Sequence, residues 1–118
     1  MSLVQISNRI AGSASVTVFH LQDRVNLGNY QELEKLANEE YGRGMKNLVI
    51  DLSRSDSLTS IGIRALISIS KMLAANDGKH LKIAGAIQPI RETFEIAGIT
   101  QYVELYNTVE EAVAAFAA

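Results

Sequence analysis

The stretch from Asn47 to Leu66 constrains this chain more than any other. Leu48-Val49-Ile50-Asp51-Leu52 is a short, nearly unbroken apolar run, the pattern of a strand covered on both faces. A polar turn, Ser53 to Ser57, separates it from a helix start. Thr59 and Ser60 can cap that helix, and apolar residues then recur at helical spacing through Leu73. A buried strand that leads through a hydroxyl-rich loop into a helix is the unit from which open α/β sheets are built, and the loop is where they keep their chemistry.

The remaining chain fits around that unit. Val4 to Ile10 and Ser15 to Leu21 read as two strands joined by the short turn Ala11-Gly12-Ser13-Ala14, so they pair antiparallel and the first takes a sheet edge. A helix is expected from about Gly28 to Tyr41, with Asn26 or Asn29 as cap, Gly42-Arg43-Gly44 as stop, and Tyr30, Leu33, Leu36, Ala37 and Tyr41 on one face. The helix opened by Ser60 runs to about Asn76, where Asp77-Gly78 breaks it, with Ile63, Leu66, Ile67, Leu73 and Ala74 inward. Leu81 to Gly85 forms the next strand. Pro89 opens a helix that buries Ile90, Phe94 and Ala97 and stops at Gly98. Tyr102 to Tyr106 makes a last strand, and Thr108-Val109-Glu110-Glu111 is a capping box for a terminal helix burying Val109, Val113 and Phe116. The order is β-β-α-β-α-β-α-β-α: one α/β domain over residues 1–118, with a mixed, mostly parallel sheet of about five strands and four helices.

Several function classes drop out. The chain has no cysteine, which removes disulfides and thiolate metal sites. Its formal net charge of −2 lacks the clustered basic face of a nucleic-acid binder. No apolar run approaches the roughly 20 residues of a membrane span, and the first residues lack the order of a signal peptide, so a cytoplasmic protein is expected. His20 and His80 are not spaced as metal ligands or as parts of a triad and read as structural. Asp51 reads as a structural carboxylate bonding the turn after it. Gly42-Arg43-Gly44-Met45-Lys46 lacks the order of a phosphate loop. No convergence of nucleophile, base and orienting group is expected, and neither is enzyme activity, a metal or a cofactor.

Four local patterns in this layout resemble the STAS domain family, the fold of bacterial anti-sigma factor antagonists. Leu48-Val49-Ile50-Asp51-Leu52-Ser53 followed by Thr59-Ser60-Ile61-Gly62-Ile63 is similar to the family's strand ending in Asp-Leu-Ser and its Asp-Ser-Ser/Thr-Gly-Leu helix start. Ala97-Gly98-Ile99 is similar to its helix closing on Gly-Leu, and Glu110-Glu111-Ala112-Val113 to its last helix. Arg24-Val25-Asn26 resembles the family's Arg-Leu-Asp before the first helix. The resemblance implies a STAS-like fold and a phosphorylation-controlled switch. In such a switch the serine before the Ser/Thr-Gly pair, here Ser60, is phosphorylated by an anti-sigma factor that is also a serine kinase, and a serine phosphatase resets it. Thr59, Ile61 and Asn26 depart from the family's Asp, Ser/Thr and Asp. Those departures favour the alternative, a STAS scaffold or sensor that binds regulatory proteins or a small ligand without phosphorylation.

Ser60 also has a physical case. A phosphate there would lie near free N–H groups at the positive end of a helix and add about −1.5 to −2 charges. The simpler account is that Thr59 and Ser60 only cap. Asp56-Ser57 is a competing Asp-Ser register, but no glycine follows Ser57 by two residues, so Ser57 stays in reserve. A second apolar stripe of Ile61, Ala65, Ile69 and Met72, beside Arg64 and Ser68, reads either as a wide core stripe flanking neighbouring elements or as a partner-docking surface formed with Asn26, Thr59 and Ser60. Self-association is left open. A small-molecule carrier or transferase on such a sheet would need a glycine-rich or phosphate loop, which is absent.

Overall fold

In a computed structural model describing residues 2–73 and 80–117, the apolar alternation of the first two segments becomes a hairpin. Val4–Ala11 (β1) and Ala14–Leu21 (β2) pair antiparallel in an unbroken register from Val4↔Leu21 to Ala11↔Ala14. Gly12, at φ 61, supplies the left-handed residue such a tight turn needs. The apolar run forms β3 (Leu48–Asp51), and two later strands, β4 (Leu81–Ala84) and β5 (Glu104–Tyr106), extend the sheet in the order β1-β2-β3-β4-β5. From β2 onward every pairing is parallel, and β1 lies at the edge. The five-stranded mixed sheet with four helices is the architecture expected from the order of elements.

Strand alternation divides the sheet into two unequal faces. Phe19, Leu21, Leu48, Ile50, Leu52, Leu81 and Ile83 point to the larger one. There α1 (Tyr30–Gly42), α2 (Ser60–Leu73) and α3 (Gln88–Ala97) bury Leu33, Ala37, Leu66, Ile69, Leu73, Ile90 and Phe94. The other face is covered by α4 (Val109–Ala114), which sets Ala112 and Val113 on Ala11, Val16, Val18, Val49 and Ala84. Both faces of β3 from Leu48 to Ile50 are therefore dry, as its composition requires.

Several boundaries and faces differ from the sequence expectation. The segment containing Ala74, Asn76 and the Asp77-Gly78 break lies outside the described residues. The α1 helix starts two residues later than expected, because Asn26 and Asn29 bond within their own loop and neither side chain caps the helix. Tyr41 is 43% exposed; each i+4 step turns about 40°, so by Tyr41 the stripe begun at Leu33 has rotated off the core. Ala97 is exposed in the last turn of α3, which ends at Gly98 (φ 73) as expected. Thr108 caps α4 by accepting from Glu111 N–H at 3.1 Å.

The larger correction concerns α2. Its inward arc is Gly62, Ala65, Leu66, Ile69, Ser70 and Leu73, while Ile63 and Ile67 are only half-buried. Ala65 and Ile69, expected in an exposed stripe, are 1% and 3% exposed and belong to the core. The helix is apolar around most of its circumference, so spacing alone allowed two overlapping arcs, and the sheet selected the one centred on Leu66 and Ile69.

Candidate functional site

The parallel strands all open toward one end of the sheet, where the loops into the helices gather. The β3–α2 loop meets the β2–α1 loop there, and named hydrogen bonds hold the two together. Ser55, 3% exposed, donates its hydroxyl to the Asp23 carbonyl at 3.3 Å. Arg54 Nη1 donates to Gln22 Oε1 at 2.9 Å, and Arg24 lies 4.0 Å from the Asp56 carboxylate. At its start, Asp51 Oδ1 accepts from Ser53 N–H at 3.0 Å, the turn-bonding role expected of this residue.

Thr59 is the hinge of this arrangement. Its hydroxyl donates to the Val25 carbonyl at 2.6 Å and accepts from Gly62 N–H at 3.1 Å. One hydroxyl therefore caps α2 and ties it to the neighbouring loop. A carboxylate could accept from Gly62 but could not donate to Val25, which gives a physical reason for threonine here. The absence of a side chain at Gly62 lets Val25 approach: a Cβ would lie 2.9 Å from Leu58 Cδ1, 3.2 Å from Val25 Cβ and 3.3 Å from Val25 O. The small residue two positions after Ser60 thus admits another segment of backbone, as its position suggests.

Ser60 follows as the first residue of α2 and is exposed. Its hydroxyl has no hydrogen-bond partner among the described residues. Thr59 satisfies the N–H groups of Gly62 and Ile63 through its hydroxyl and carbonyl, leaving those of Ser60 and Ile61 without a described partner. Along the helix the exposed ridge continues through Arg64, Ser68 and Lys71, with half-buried Ile61 and Met72 on one shoulder and Ile63 and Ile67 on the other. A shallow cleft between α1 and α2 is lined by Tyr30, Glu34, Ile61, Arg64 and Ala65, so Ala65 can serve only as its floor and Ile69 contributes nothing to the surface. Ser57 is half-buried in the loop before the helix. Asn26 is turned inward on its loop: its carbonyl accepts from Tyr30 N–H and its Oδ1 from Gly28 N–H.

Two features escaped the sequence reading. Leu27, 74% exposed, stands on the same loop as Asn26. An apolar residue between Asn26 and Gly28, with no core stripe to join, was the available signal. The second overturns the expectation that no nucleophile, base and orienting group meet. Ser7, His20 and Asp51 form a continuous hydrogen-bonded line across β1, β2 and β3, with Ser7 Oγ 2.8 Å from His20 Nε2 and His20 Nδ1 2.8 Å from Asp51 Oδ2. His80 Nδ1 lies 2.9 Å from Asn47 Oδ1. Among the described residues no His, Asp and Glu side chains cluster as a metal site would require.

Comparison with known proteins places the chain in a family. Residues 6–112 match the family model described as the STAS domain. The chain is 33% identical over 96 residues to BtrV of Bordetella bronchiseptica, a protein named as an anti-sigma factor antagonist, covering 81% of this chain and 82% of BtrV. A STAS domain protein from Planctomyces limnophilus superposes with a TM-score of 0.80 at 18% identity, with 98% of each chain covered. The Bacillus cell fate determinant SpoIIAA in its phosphorylated form superposes with a TM-score of 0.68 at 14% identity, covering 96% of this chain and 98% of SpoIIAA. Its unphosphorylated form gives the same TM-score.

Proposed function

From the premise that the chain belongs to the STAS domain family, we propose that it is an anti-sigma factor antagonist: a binding protein, not a catalyst, controlled by phosphorylation of Ser60. The observation that carries this reading is the state of Ser60, an exposed hydroxyl on the first residue of α2 that, like the two N–H groups beside it, has no partner among the described residues. The partner is an anti-sigma factor that is also a serine kinase. It brings ATP, Mg²⁺ and the catalytic base, and this chain brings the accepting oxygen. The name carried by BtrV and the existence of SpoIIAA in both phosphorylation states support the assignment.

The mechanism follows from charge and place. In the unmodified state the partner docks on Ser60, Arg64, Ile61, Met72 and Leu27, with Thr59 and Asn26 holding the loop and helix in register beneath them. The side-chain oxygen of a first-turn residue lies close to the open N–H groups, so a phosphate there is held by the helix end and does not unfold it. It adds about −1.5 to −2 charges at neutral pH where an apolar partner surface would have to desolvate them. The partner is released, and a serine phosphatase restores the hydroxyl. The setting is cytoplasmic, where kinase and sigma factor both reside.

Mass spectrometry after incubation with the partner kinase and ATP tests this. One phosphate mapped to Ser60 is expected; its absence, or its presence on Ser57 alone, rejects Ser60 as the acceptor. The alternative, a scaffold that assembles regulatory proteins without phosphorylation, is favoured by Thr59, whose second bond commits it to loop architecture where the family pattern has an acid. Equal partner binding by Ser60→Ala and Ser60→Asp would select that alternative.

A further inference from the structure

The line of Ser7, His20 and Asp51 lies on the face of the sheet that carries α4, and nothing in the Ser60 switch uses it. Register brings these side chains together: His20 pairs with Asp51 in the β2–β3 ladder, and Ser7, on the edge strand, points to the same face. Burial pushes the Asp51 carboxyl up, but hydrogen bonds from His20 and from Ser53 outweigh it and hold the group below the usual carboxylate range. Asp51 is therefore ionised at neutral pH and can only accept. The 2.8 Å contact then requires the imidazole proton on Nδ1. In the neutral ring with its proton there, Nε2 carries the lone pair, 2.8 Å from Ser7 Oγ, where a hydroxyl can donate to it. The His20 side chain is 25% exposed and Ser7 is half-buried, so the pair is reachable from solvent.

The geometry points to Ser7 as an activated serine that accepts an acyl group from thioesters or activated aryl esters, a modification site separate from Ser60. Nucleophile, base and orienting carboxylate stand in the order that raises the nucleophilicity of a hydroxyl. In the transfer, Ser7 Oγ forms a bond to the carbonyl carbon as its proton passes to His20 Nε2, and the carbonyl electron pair moves onto oxygen. Collapse of that tetrahedral species breaks the bond to the thiolate or aryl oxide, which leaves with its electron pair and takes the proton from Nε2 directly or through water. The product is an O-acyl ester on the edge strand. Turnover would require the ester to be hydrolysed as well, and the inference stops at transfer onto Ser7. Acylation would remove the hydrogen bond between β1 and His20 and place apolar bulk on the sheet face that carries α4.

The test uses the full chain and p-nitrophenyl acetate, with acetylation mapped by peptide mass spectrometry over time. General-base assistance is worth about 10²–10⁴-fold. Ser7 should therefore be acetylated at least about tenfold faster than exposed Ser53 and Ser68 in the same sample. His20→Gln should bring Ser7 down to the rate of those serines, and Ser7→Ala should abolish the fast site while leaving the others unchanged. Acetylation of Ser7 no faster than Ser68, or a Ser7 rate untouched by His20→Gln, overturns the inference. The ratio of Ser7 to Ser68 in the unsubstituted protein decides the matter even where a variant fails to fold. None of these readouts depends on Ser60.

Discussion

Replacing Thr59 by valine keeps the shape of the side chain and removes both hydrogen bonds of its hydroxyl. Loss of the N-cap bond to Gly62 N–H costs about 1 kcal/mol, within a range of about 0.5–2. Loss of the donor at 2.6 Å leaves the carbonyl of Val25, a residue 1% exposed, without this partner, which adds about 1–3 kcal/mol. The two effects act on one loop–helix junction, so roughly 2–4 kcal/mol is expected, less if water reaches the carbonyl. Thr59→Ser keeps both bonds and should cost under about 1 kcal/mol, from lost packing alone. Thr59→Asp separates the two roles: it retains a good cap but sets a carboxylate against the Val25 carbonyl, so it should fall with valine and not with serine. Urea unfolding followed by circular dichroism measures all three; the midpoint should move while the m-value stays constant. If Asp proves as stable as Thr, the bond to Val25 does not hold the loop to the helix, and the account of why threonine stands here is wrong.

Other perturbations probe the same region. Gly62→Ala gains about 1 kcal/mol of helix propensity but meets Leu58 Cδ1 at 2.9 Å and the Val25 carbonyl at 3.3 Å. Overpacking of roughly 2–3 kcal/mol should win, for a net loss of about 1–2 in the same urea assay. Asp51→Asn removes a carboxylate whose folded pKa is depressed, so the stability it contributes is fully present above the unfolded carboxylate range and is lost as the pH falls through the folded value. Wild type should exceed the variant by about 1.5–3 kcal/mol at pH 7, and the gap should close on acidification; thermal melts from pH 7 down to the acid limit of folding would show it. Ile61→Asp should leave the melting temperature within a few degrees, since the residue is only half-buried, yet weaken partner binding at least tenfold by calorimetry.

The fold was legible because its signals are local. A dry strand, a cap, αL glycines and a Thr-x-x-Glu box each act within a few residues, and Gly98 and Thr108 sit where such rules place them. The place of Ser60 at the head of α2 was legible for the same reason. The buried arc of α2 was not: Ile63, Leu66, Ile67 and Ile69 are equally apolar, and only the approach of the sheet decides which of them are covered. The second bond of Thr59 joins residues 34 apart in sequence. The line from Ser7 through His20 to Asp51 spans three strands, with separations of 13 and 31 residues. No spacing rule reaches across a strand register, so a histidine that reads as solitary acquires two partners only when the sheet is assembled.

The central claim is that charge added at the first residue of α2 changes which protein can dock there. Isothermal titration of the partner kinase with unmodified protein and with protein stoichiometrically phosphorylated at Ser60 measures that effect directly. The unmodified form should bind and the phosphorylated form should bind at least about tenfold more weakly, a difference of about 1.4 kcal/mol or more. Equal affinity for the two forms would contradict the claim.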